Sequence, residues 1–221
     1  MDIHSHEAPA MLKSNQTLIL PSATTLPEDA GQRPTRAAAE AAARTSIRWA
    51  GDDPTREGLL ATAARSVRSV RTCEEWFAGH PQDPVSLLNR AFGEVGGYDD
   101  AVLLRDMPLQ STCEHHRAAI RGVVHIAYLP RQRVVGISKL ARLVEAFGRR
   151  LQIQQRLTME IAGALADVLP PRAVAVIVQA SHECLSSTGL RALGTSMQTG
   201  RLLGEFAQEP RRREILAMLA C

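Results

Sequence analysis

Aromatic residues are scarce in this sequence, 4% of 221 positions, and the formal net charge is only +3. So few rings argue against a stacking platform for single-stranded nucleic acid. So small a charge does not make a DNA-binding face, although it fits modest attraction for an anionic small molecule. Long apolar runs are missing as well: none reaches the roughly 18 residues that a membrane span requires. The opening MDIHSHEAPA has neither the basic start nor the apolar core of a secretory signal. The four cysteines, Cys73, Cys113, Cys184 and Cys221, are too few for a disulfide framework in a chain of this length. The expectation is a cytoplasmic protein with reduced thiols, and without nucleic acid or membrane as a partner.

Apolar residues are plentiful, at 45%, so a substantial core is expected and wholesale disorder is excluded. Residues 1–35 show no sustained periodicity and read as a flexible arm. A helical region is expected over 36–98. It begins with the alanine-rich RAAAEAAARTSIRWA over 36–50. A helix start follows at Asp52-Asp53-Pro54. Leu59, Leu60, Val67, Val70 and Trp76 then recur at helical spacing between Thr55 and Phe77, and a short helix is predicted over 84–93.

From about residue 99 to 221 the pattern changes. AVLLRDMPLQ, AAIRGVVHIAYLP and RVVGIS read as strands, and AVAVIVQASHEC is the strongest strand signal. Ser138 is expected to cap a helix running to Arg149. A second helix is expected from about Gln152 to Leu169, a weaker strand at TGRLLGEF and a last helix at PRRREILAMLA. Helices first, then strands and helices at uneven intervals, predict an α+β fold rather than a repeating βαβ sheet.

The chemistry concentrates in STCEHH, residues 111–116. Cys113 and His116 are three apart, close enough to reach one metal ion from a turn, and thiolate with imidazole suits zinc. The competing reading is a buried cysteine beside two partly exposed histidines. A third ligand is on offer where AVAVIVQASHEC ends in His182 and Cys184, which would share one face of a strand. His125, inside GVVHIAY, reads as a satisfied strand residue, and Cys73 and Cys221 as structural.

These segments together resemble GTP cyclohydrolase I, the zinc enzyme that opens the imidazole ring of GTP and recloses it as a pteridine. The resemblance covers most of residues 50–215 and rests on DDPTREGLLATAAR, STCEHH, GISKLARLVEAFGRRLQIQQRLT, SHEC and LLGEF. It implies a catalytic domain over 99–221 with a four-stranded antiparallel sheet and paired helices on one face. This is the T-fold, which builds barrel-like homo-oligomers, decamers in this family. It also implies a Zn2+ cofactor held by Cys113, His116 and Cys184, with water activated at the metal to attack C8 of a purine nucleotide. His115 and His182 would be the catalytic proton-transfer residues, with Glu114 turned elsewhere.

For the substrate, the resemblance implies Arg65, Arg68, Lys139 and Arg142 around the triphosphate, Ser138 by the ribose, Gln155 at the base, and Gln154 as a further substrate-binding residue. Two departures stand out. QIQQR places Gln155 where the family has a glutamate that grips guanine, and an amide, with one donor and one acceptor side, better matches N1–H beside a C2 carbonyl. Thr188 stands where the family has an arginine reaching the triphosphate, a place that Arg191 or Arg201 could fill. The metal and proton-transfer residues are spared. The implied function is ring opening of GTP. Its alternatives are the same chemistry on a different or less phosphorylated purine, and a non-catalytic, zinc-stabilised subunit.

Overall fold

A computed structural model of the chain describes residues 34–68, 76–80, 82–88, 91–92, 98–187 and 191–219. The N-terminal arm expected over 1–35 lies almost wholly outside the described residues, as do Val70, Cys73, Thr188 and Cys221. Helix α1, Arg36–Trp49, is capped by Thr35, whose hydroxyl accepts from Ala38 N, and it buries none of its residues. The helix expected from Thr55 does not start there. The Asp53 carboxylate takes the N–H and hydroxyl of Thr55 at 2.8 and 2.7 Å, a local turn that competes with helix formation. A 3-10 turn, Glu57–Leu59, and helix α2, Thr62–Arg68, follow. The short helix predicted over 84–93 ends earlier: α3 is Pro84–Leu88, and β1, Ala91–Phe92, is already extended.

Strands β2, Val102–Cys113, and β3, Ala119–Leu129, form an antiparallel hairpin. β4, Val134–Val135, leaves that sheet to pair with β1. Helix α4, Ile137–Gly148, buries Leu140, Leu143, Val144 and Phe147, the i, i+3, i+4, i+7 stripe of a core-facing helix. Its cap is Gly136 and not Ser138, which sits exposed inside the first turn. After β5, Leu151–Gln152, helix α5, Gln154–Val168, buries Leu157, Ile161 and Leu165 in the same way. Strand β6, Ala173–His182, the helical turn α6, Glu183–Ser186, strand β7, Ser196–Gly204, and helix α7, Arg211–Leu219, complete the order.

The main sheet runs β5-β2-β3-β6-β7. Its four long strands are antiparallel. The two-residue β5 joins β2 in parallel through Thr112–Leu151 and Cys113–Gln152, a fifth strand too short to leave a pattern in the sequence. Strand residues alternate between two faces. Met107, Leu109, Ile120, Val124, Ile126, Val176 and Val178 face α4 and α5 in the larger core. Leu129, Ala175 and Ile177 face the other way, against Phe206, Ile215 and Leu219. Helices therefore cover both faces and not one, because the apolar residues of α7 fold its helix back over the end of the sheet farther from STCEHH. The architecture is α+β. Among the described residues no helix is long and apolar enough to cross a membrane.

Candidate metal centre and cleft

The β2–β3 hairpin turns through Glu114–Arg117. Cys113 N donates to Ala118 O and Arg117 N to Cys113 O, both at 2.8 Å. Arg117 takes a left-handed backbone, φ 53°, a conformation costing about 1–2 kcal/mol that favours glycine elsewhere. That turn brings Cys113 Sγ and His116 Nδ1 to 3.8 Å. β6 lies beside β3 with His182 opposite Ile120, so the end of β6 arrives next to the hairpin. Cys184 is not on that strand, as the sequence suggested, but in the turn α6. The helical turn carries its thiol round toward the hairpin.

The ligand atoms of Cys113, His116 and Cys184 all lie within 4.8 Å of one another. In a tetrahedral zinc site, bonds of about 2.0–2.3 Å set the donors roughly 3.4–3.8 Å apart. The set therefore needs only a small contraction, and two sulfurs with one imidazole are donors zinc prefers. Cys113 is buried and Cys184 half-buried. Burial, with the Cys113 thiol beside it, pushes the Cys184 thiol up.

The cleft beside this cluster encloses about 250 Å³ and is lined by Cys113, His115, His116, Gln154, Gln155 and His182, among others. His115 is 65% exposed, with Nε2 3.7 Å from the Glu114 carboxylate. Glu114 itself is turned to α5, where Arg156 hydrogen-bonds its carboxylate. His182 is half-buried, and burial lowers its pKa. Its Nε2 lies 2.8 Å from Gln154 Oε1. Gln154 is 1% exposed, so its side chain reaches His182 rather than open space. Gln155 is exposed on the rim.

The candidate cationic residues are elsewhere in the single chain. Lys139 and Arg142 lie with Ser138 on the first turns of α4, and Arg65 lies on α2 with its guanidinium donating to Thr62. None of them lines the cleft. Arg68 ends α2, its side chain outside the described residues. Arg191 follows the undescribed segment, and Arg201 lies up β7 opposite Val176. His125 is fully buried and accepts from Asp106 N at 3.2 Å.

Sequence reasoning missed four lining residues: Gln152, Ile153, Leu185 and Met197. Met197 is placed by the β6–β7 register, Ala180 opposite Met197, which no local pattern announces. Gln152 had a signal, a polar residue that the structure buries to 1%. It bonds Phe147 O, Glu160 and Arg156.

Comparison with known proteins identifies the family. The family model described as GTP cyclohydrolase I matches residues 39–220. "GTP cyclohydrolase 1" of Maricaulis maris is 47% identical over 191 residues, 86% of this chain and 92% of that protein. "GTP cyclohydrolase 1" of Sinorhizobium fredii is 46% identical over 183 residues, 83% and 88% of the two chains. A solved structure, the archaeosine synthase QueF-Like in the apo form, is 18% identical. Its TM-score of 0.40 over 47% of this chain and 93% of that one is too slight to bear on fold or function. Matched from its first described helix to its last, this chain belongs to the GTP cyclohydrolase I family.

Proposed function

We propose that the chain is a zinc-dependent cyclohydrolase that opens the imidazole ring of GTP by hydrolysis at C8. The observation that carries this reading is the meeting of Cys113, His116 and Cys184 beside His115 and His182 in one cleft. Cys113, His116 and Cys184 would hold the zinc ion, which when bound activates water at neutral pH and polarises the bond under attack. The histidines do the rest. Exposed His115 exchanges protons with solvent, while His182, whose burial favours the neutral ring, moves a proton at the substrate as C–N bonds break. The relatives' names make GTP the first substrate to test. Zinc-loaded protein given GTP should release formate and a neopterin-type triphosphate, detected by mass. A zinc-loaded, intact protein that leaves GTP unchanged contradicts the reading.

A second reading changes the base and keeps the chemistry. Gln155 lines the cleft, and its amide has no hydrogen-bond partner among the described residues. A free amide at this point suits N1–H beside a C2 carbonyl better than the two donors of guanine. Kinetics of Gln155→Glu decide: a large gain with GTP supports a shifted base, and no change opposes it.

The site also calls for a second copy of the chain. A cleft of about 250 Å³ is smaller than the roughly 300–1,000 Å³ of ligand pockets, and Lys139, Arg142 and Arg65 do not line it. Among the described residues, β7 pairs only with β6, and β2 before Thr112 pairs only with β3. Open edges of this length invite strand pairing between copies. The copies then form a homo-oligomer of the T-fold, barrel-forming kind, whose neighbours bring phosphate-binding cations to each cleft. Light scattering should find an oligomer; a fully active monomer would contradict shared sites.

A further inference from the structure

The environment of Gln154 fixes more than its own position. Its Nε2 lies 3.1 Å from Val178 O, 3.0 Å from Met197 O and 3.2 Å from Thr199 Oγ1. Carbonyl oxygens only accept, so the NH2 group must face them. Turning the amide over would press Oε1 against two carbonyl oxygens.

The hydroxyls agree with this assignment. Thr158 donates to Gln154 O at 2.8 Å, which uses its only proton. At the 2.7 Å contact between the two hydroxyls, Thr199 must therefore donate to Thr158. Thr199 then has only lone pairs left for Gln154 Nε2. Every donor in this ring has one direction.

Oε1 is thereby aimed at His182 Nε2, 2.8 Å away. An amide oxygen accepts, so His182 Nε2 carries the hydrogen. In a neutral imidazole the second nitrogen is then bare, and among the described residues nothing hydrogen-bonds Nδ1. We propose that Gln154 is the positioning residue that sets the tautomer of His182, holding Nε2–H and leaving Nδ1 as the nitrogen that meets a bound substrate. The wiring stands on geometry alone; its consequence for turnover rests on the cyclohydrolase reading above. A ring in the other tautomer would already carry a hydrogen at Nδ1, so it could not first take up there the proton that it later passes to the breaking C–N bond without the ring rearranging.

The test is nitrogen NMR of the zinc-loaded full chain with 15N in both histidine ring nitrogens, the His182 signals being identified by their loss in His182→Ala. Wild type should show a protonated Nε2 and a bare Nδ1. Gln154→Leu should show the two forms interchanging. Thr199→Val, which removes one acceptor and leaves both carbonyls, should keep the wild-type pattern. With GTP, Gln154→Leu should lose about 10²-fold in kcat with KM little changed, whereas a residue gripping the base would raise KM. A wild-type ring protonated at Nδ1 overturns the proposal even if the variant fails to fold, and so does a Gln154→Leu protein with the wild-type tautomer. The expected NMR pattern in a protein that does not act on GTP would uphold the tautomer assignment and remove the cyclohydrolase reading instead.

Discussion

Arg156, on the first turn of α5, hydrogen-bonds the carboxylate of Glu114, the residue between Cys113 and His115. The same guanidinium donates to Gln152 Oε1 and Leu151 O. Glu114 N donates to Gln152 O at 3.1 Å. The hairpin that carries two candidate ligands is thus tied to β5 through its backbone and to α5 through the Glu114 side chain.

Groups that orient metal ligands without touching the metal typically matter 10–100-fold. Arg156→Ala should therefore weaken zinc binding by about tenfold, measured by competition with a chelator. Because the pair is partly exposed, with side chains 42% and 29% accessible, its effect on overall stability should stay within about 1 kcal/mol.

Removing one ligand should act on metal and turnover together. Cys184→Ser should lose zinc and cyclohydrolase activity while keeping the circular dichroism of the wild type, since Cys184 lies in a four-residue turn at the edge of the core. Chelation of the wild type should do the same, and added Zn2+ should restore activity to the wild type only.

Stability should depend on pH through His125. Burial lowers its pKa from the ordinary 6.5, outweighing the nearby Asp106 carboxylate. A histidine whose folded value is depressed binds more protons when unfolded, so stability is full above about pH 6.5 and falls as the pH drops below it. Urea denaturation of wild type and His125→Gln between about pH 8 and pH 5 should show a shallower acid loss in the variant. Equal slopes would count against this assignment.

Gly122 should tolerate no side chain. A Cβ built there would stand 2.0 Å from Gln179 O, a backbone atom of the neighbouring strand that cannot move alone. Gly122→Ala should destabilise the protein by about 1–3 kcal/mol, read from the denaturation midpoint.

The strands were legible because β2, β3 and β6 are apolar on the face toward α4 and α5 over most of their length, and long apolar segments between turn residues leave few alternatives. Cys113 with His116 was legible because the spacing lies within one turn. Cys184 was placed in the right cluster on the wrong element: SHEC continues the strand's composition, and nothing in it shows that the chain coils after His182. Gln154 was expected to bind substrate, beside Gln155 in QIQQR. Its real partners, Val178, Met197 and Thr199, are set by strand register, which local sequence does not encode. The cations of α2 and α4 lie apart from the cleft in the single chain, a separation set by how the helices pack, which their local spacing does not encode.

The most direct test is to measure the metal itself. Zinc analysis with X-ray absorption on the purified protein should find about one zinc per chain, with two sulfur and two nitrogen or oxygen neighbours, and the sulfur count should fall in Cys113→Ser and Cys184→Ser. A protein without zinc, or with zinc bound only by nitrogen and oxygen, would contradict the centre on which this account depends.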